Sequence, residues 1–158
     1  MKKVLACVLV MCGPAVSADD LQVDAATVQA CFASAEPWGG VPDCVGDAAN
    51  LCQSLPGGSS TLGIVECVMA ETQVWDSALN AQYKATRAHV DAVDTGQPPV
   101  SNALLTAQRA WIAFRDAECA LAFELRRGGT IRSVAAAVCQ MRMTAARTIE
   151  LRDMRGPM

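Results

Sequence analysis

The chain has 158 residues, with 13 basic and 16 acidic side chains, a formal charge of −3 and 52% hydrophobic residues, which bounds it to about one ordinary domain. The charge is unevenly placed: residues 19–83 carry nine acids and no lysine or arginine, whereas nine arginines meet five acids from Thr95 onward. An acidic first half argues against a nucleic-acid binder, which needs a basic footprint. Two readings of the asymmetry stay open: an acidic face that steers a cationic partner, or acidic helices packed on basic ones.

Lys2 and Lys3 precede a short apolar run, residues 4–12, and Val16-Ser17-Ala18 offers small residues at the −3 and −1 positions of a cleavage site. This predicts a secretory signal peptide over residues 1–18, too short to span a bilayer. Cys12 is a poor lipid-attachment site, because Met11 stands where a small residue is needed. The expectation is export to the periplasm or beyond, cleavage after Ala18, and no lipoprotein anchor. Loss of the leader leaves 11 basic against 16 acidic residues, a net of −5. No later stretch is long and apolar enough to cross a membrane, so no stable insertion is expected.

Residues 19–58 form a segment rich in Gly, Pro and Cys, with two short helices. One lies near Ala25–Ser34; the other runs from Asp43 to Cys52. The string EPWGGVP, residues 36–42, is the loop between them, and LPGGSS, residues 55–60, is the next break. Three long helices follow over residues 59–158. The first starts at Ser60 or Thr61 and ends near Val93, with Leu62, Val65, Met69, Thr72, Asp76, Leu79, Tyr83, Thr86, Val90 and Val93 as its inward stripe. TGQPP, residues 95–99, stops it. Ser101 caps the second helix, which runs to about Arg127 with Leu104, Gln108, Trp111, Arg115, Cys119 and Ala122 inward. Gly128-Gly129 closes that helix. Thr130 caps the third, with Ile131, Val134, Val138, Met141, Ala145 and Ile149 inward. Strand patterns are absent. The fold class is all-α: a small bundle of three long helices plus a short disulfide-rich N-terminal helical segment.

Six cysteines remain after the leader, and in an exported chain that suggests three disulfides. Cys119 lies nine residues before Gly128 and Cys139 ten after Gly129. If the two helices fold back on each other, both cysteines sit about 14 Å from the turn at ~1.5 Å rise per residue. They are level, and Cys119–Cys139 follows. A disulfide needs Cα atoms within ~7 Å, closer than ordinary helix axes, and Ala120, Ala122 and Ala135-Ala136-Ala137 are small enough to permit it. Local loop closure suggests Cys31–Cys44 and Cys52–Cys67. No C-x-x-C occurs, and His89, the single histidine, is far in sequence from any cysteine. Neither a metal site nor a cofactor is expected.

Polar residues intrude on the apolar seams. Asp76, Asn80 and Tyr83 on the first long helix and Gln108, Arg109, Trp111, Arg115 and Asp116 on the second read as a buried or half-buried structural network. Bare charges there would cost several kcal/mol, so partners are obligatory, and arginine's planar fork suits carboxylates. The arginines of the third helix, Arg142, Arg147, Arg152 and Arg155, read as an ordinary solvated face.

WDSALNAQYK (residues 75–84), LLTAQRAWIAFRDAEC (104–119), Gly128-Gly129, Cys139 and TAARTIEL (144–151) together closely resemble the LprI-like family of exported bacterial domains. The resemblance covers roughly residues 61–155. It implies an all-α, cysteine-stabilised domain and suggests inhibition of lysozyme. The residues matching its strings are Asn80, Tyr83, Gln108, Arg109, Trp111, Arg115, Asp116, Cys119 and Cys139.

Lysozymes are typically cationic and cleave with paired carboxylates in a groove. An inhibitor needs an acidic face and a protruding anchor. Glu36, Asp43 and Asp47 bracket the loop that carries Trp38, and these four are the candidate partner-binding residues. Packing of Trp38 over the small N-terminal helices is the alternative. A second function class also stays open: a non-enzymatic periplasmic interaction module for another partner. No nucleophile elbow, phosphate loop or metal-ligand helix motif supports an enzyme.

Overall fold

The computed structural model describes residues 21–156, so the predicted leader and its cleavage site lie outside the described residues. Five helices follow in order: α1 (Ala25–Ser34), α2 (Asp47–Gln53), α3 (Thr61–Val93), α4 (Val100–Leu125) and α5 (Ile131–Asp153). No strand occurs among the described residues, and the architecture is the all-α bundle expected.

The helix starts follow from local chemistry. The Asp24 carboxylate accepts from the Ala26 N–H at 2.8 Å and opens α1. α2 begins at Asp47, four residues later than expected, because residues 43–46 turn to close the Cys31–Cys44 bridge and Gly46 takes a positive φ of 113°. Ser60 caps α3 by accepting from the Gly63 N–H at 3.0 Å. Gly63 is required at that point: a Cβ there would collide with the Gly57 carbonyl oxygen. Ser101 does not cap α4. Asp94 does that work from the end of α3, accepting from the N–H of Val100 at 2.7 Å and of Gly96 at 3.0 Å. Those two backbone bonds, Val100 first, hold the Asp94 carboxyl below its ordinary value. Thr130 precedes α5 without a side-chain capping bond.

α3 and α5 run in the same direction and make the most extensive contact in the bundle. The register is set by Thr61 against Thr130, the Trp75 carbonyl accepting from Thr148, and the Leu151 carbonyl accepting from Thr86. α4 returns between them in the opposite sense and packs chiefly on α5. Three disulfides staple the fold: Cys31–Cys44, Cys52–Cys67 and Cys119–Cys139, with Cα separations of 5.7, 5.6 and 5.4 Å. The N-terminal segment shares a core with the long helices. Val28, Val45, Ala48 and Ala49 pack with Val68 and Trp75 of α3 and with Met141 and Ala145 of α5. A second, smaller cluster joins Leu79, Leu104 and Leu151 at the other end of the bundle.

Two expected faces are corrected. The inner side of α3 is Gly63, Cys67, Val68, Glu71, Thr72, Trp75, Leu79 and Thr86, so Thr72, Leu79 and Thr86 of the expected stripe hold, while Leu62 and Val93 are 68% and 65% exposed. The helix faces α2 and α5 at once, and the α2 side rotates the buried stripe away from Leu62 and Met69. The arginines of α5 are not a solvated face either. Arg147 is buried and Arg152 and Arg155 are half-buried; of the four only Arg142 is exposed. α5 is covered by α3, α4 and the α1–α2 loop, so its arginines must find acceptors inside the fold.

Candidate functional site: a braced tryptophan loop

The loop between α1 and α2 is tied at both flanks before it presents anything. Cys31 in α1 is bonded to Cys44 ahead of α2. α2 is in turn anchored to α3 by Glu71, which is 1% exposed. Its two carboxylate oxygens accept from the N–H groups of Gly46 and Ala49 at 2.9 and 2.8 Å, at the positive end of α2, and one also accepts from Trp75 Nε1 at 3.0 Å. A carboxylate buried this deeply is tolerated because three donors meet it.

The middle of the loop is held from α5. The Trp38 N–H donates to Oδ2 of Asp153 at 2.8 Å. The other oxygen of Asp153 accepts from Arg152 Nε at 2.7 Å. Arg152 then spends both remaining nitrogens on carbonyls at the C-terminal end of α1: Nη1 on Phe32 and Nη2 on the capping residue Ala35, each at 3.0 Å. Its guanidinium also stands 5.2 Å over the Phe32 ring, which meets Trp75 edge-on at 6.3 Å. Trp38 itself has φ 58°, the one non-glycine described with a positive φ, and the residue is 55% exposed. A bulky residue in that region is strained by about 1–3 kcal/mol and persists only where its surroundings over-determine it. The Arg152–Asp153 pair supplies that constraint.

Glu36, Asp43 and Asp47 are all exposed. Glu36 is two residues before Trp38 in the turn closed by Gly39 N–H on its carbonyl, and Asp47 occupies the first turn of α2. Beside Trp38 a cleft of about 320 Å³ is lined by Val41, Ala146, Ile149, Glu150 and Asp153.

The residues read as one structural network do not form one. Asn80 donates to Asp76 at 3.0 Å on an exposed stretch of α3. Arg115 pairs with its neighbour Asp116 at 2.8 Å and lies 5.2 Å over Trp111, with the Asp116 side chain 55% exposed. Arg109 is exposed. The Tyr83 hydroxyl is buried without a hydrogen bond among the described residues. Only Gln108 crosses between helices, accepting from Arg147 Nε at 3.0 Å. α4 packs chiefly on α5, and its Arg115 and Asp116 lie toward its open side, so their charges meet each other and water. The inter-element polar work falls instead to Glu71, Arg147, Arg152, Asp153 and Arg155. Arg155 donates to the Gln82 carbonyl at 3.2 Å and to Thr86 Oγ1 at 2.7 Å.

The family model described as lysozyme inhibitor LprI matches residues 52–151, and the chain belongs to that family. An uncharacterized protein of Rhizobium meliloti (strain 1021) is 32% identical over 95 residues, spanning 56% of this chain and 68% of the relative. No solved structure matches the chain significantly. The matched region contains α3, α4 and most of α5; the Trp38 loop precedes it.

Proposed function

We infer that this protein is an exported, non-enzymatic inhibitor that binds a cationic lysozyme through its acidic N-terminal segment, with Trp38 as the anchor. The family supplies the class of partner. The observation that carries the surface is Trp38: 55% exposed, left-handed in backbone, and braced by Asp153. An aromatic fixed before contact gives up little ordering entropy on binding, which is how a few side chains come to dominate an interface. Glu36, Asp43 and Asp47 add negative charge around it, and a stretch of 65 residues (19–83) with nine acids and no basic side chain accelerates encounter with a positive enzyme at low salt. Three disulfides fit an oxidising compartment, in keeping with periplasmic or extracellular export.

The test is clearing of a cell-wall suspension by lysozyme in the presence of the purified, disulfide-intact protein. Slower clearing at low salt, relieved by added salt, supports the reading. Unchanged clearing at low salt and molar excess removes it.

A second reading, an interaction module for another envelope protein, is favoured by one observation. Ala103, Ala107, Ala110, Phe114, Ala117, Leu121 and Leu125 recur at helical spacing on α4 and all are exposed, a stripe of the kind that partner helices cover.

A further inference from the structure

At the end of the bundle remote from α2, the helices flank an open cleft of about 510 Å³, within the ~300–1,000 Å³ of small-molecule sites. Its walls are apolar: Val90 of α3, Val100, Ala103, Leu104 and Ala107 of α4, and Met154 beyond α5. Two charged side chains lie among them, Glu150 and Arg147, and burial alone would not place the second there. Arg147 lines the cleft with a side chain only 7% exposed. Its Nε is taken by Gln108 at 3.0 Å and its Nη1 by Glu150 at 2.8 Å. Nη2 makes no hydrogen bond among the described residues and is not sealed from solvent. The fork is therefore incompletely used, and one of its donors stays available to a ligand.

Glu150 is the weak member of this arrangement. Its side chain is 46% exposed and it also lines the cleft, so it can turn out to water and yield its place to another carboxylate. We propose that this cleft binds a small amphipathic carboxylic acid: the apolar body lies against Val100, Ala103, Leu104 and Met154, and the carboxylate takes Nη1 and Nη2 of Arg147 side by side. A bidentate carboxylate satisfies the guanidinium better than the single contact from Glu150 does. The Trp38 loop contributes nothing to this cleft, and Glu150 is the one residue that also lines the cleft beside Trp38.

The probe is decanoate, below its micelle-forming concentration, added to the intact protein and followed by the methyl resonances of Leu104 and Met154 and by calorimetry. One saturable site with shifts confined to this end of the bundle is the expected result. Ala107→Trp fills the cleft from its exposed rim without touching Arg147, and abolishes binding while helicity and melting stay unchanged. Glu150→Gln removes the competing carboxylate and tightens binding about two- to fivefold, the scale of a half-exposed ion pair; a merely structural Glu150 would not produce that sign. Decyltrimethylammonium, with the same tail and a cationic head, does not bind. Absence of a saturable decanoate site, equal binding of the cationic amphiphile, unchanged affinity in Ala107→Trp, or weaker binding in Glu150→Gln would each overturn the proposal.

Discussion

The backbone N–H of Trp38 is held by the Asp153 carboxylate at 2.8 Å across 115 residues of sequence. The contact joins a loop between two short helices to the last residue of the last helix, and it fixes the one aromatic that the N-terminal segment exposes. Stability and binding separate at this pair. Trp38→Gly relieves the positive φ, so stability holds or rises by up to about 1 kcal/mol, while lysozyme inhibition is lost. Thermal melting and clearing assays on the same variant check both halves.

Asp153→Ala acts the other way. It frees the Trp38 N–H and leaves Arg152 without its carboxylate, in a place where the Asp153 side chain is 3% exposed. The loss is about 2–3 kcal/mol, read by denaturant unfolding. Hydrogen exchange in the α1–α2 loop rises, and inhibition weakens through the loosened anchor rather than through a lost contact.

Glu71→Ala leaves the N–H groups of Gly46 and Ala49 and the Trp75 indole without their acceptor. The cost is about 3–5 kcal/mol, the range for breaking a fully buried charged arrangement. Because Cys52–Cys67 still ties α2 to α3, the chain keeps its helicity at low temperature and melts earlier.

The depressed Asp94 carboxyl has a definite sign. Its capping of Val100 and Gly96 is fully present above its unfolded value, near ~3.9, and is lost as pH falls through the lower folded value. Protection of the Val100 amide, its exchange relative to the intrinsic rate at each pH, should therefore fall on acidification below that point. Asp94→Ala shows low protection at every pH.

Gly63→Ala drives a methyl into the Gly57 carbonyl oxygen. Overpacking against backbone costs about 1–3 kcal/mol, measurable as a fall in melting temperature.

Local sequence signals disclosed the helices and bridges because both depend on short-range rules. Gly128-Gly129 marks a turn, and counting outward from it puts Cys119 and Cys139 level, where the structure joins them. The Ser60 cap and the α1 limits are local in the same way. The buried polar contacts were not legible. Glu71 sits among Ala70, Thr72 and Gln73 and looks like a surface acid until α2 arrives with its open N–H groups. Arg147, Arg152 and Arg155 recur on α5 like a solvated row, and only the packing order, with α5 covered on several sides, turns them inward. Conversely, Arg115 falls on the expected seam of α4 by spacing and Asp116 on its flank, but their charges meet each other at the surface rather than a partner helix. The acidic residues near Trp38 could be picked out by composition, yet its left-handed backbone and its tie to Asp153 depend on a contact 115 residues distant.

The most direct measurement is the affinity of the purified protein and its Trp38→Ala variant for lysozyme by calorimetry at low salt. The wild type binds one to one, and the variant, equally stable, binds about thirtyfold or more weakly, as loss of a central aromatic anchor requires. Equal affinity of the two proteins, or no heat of binding from the wild type, would contradict the account.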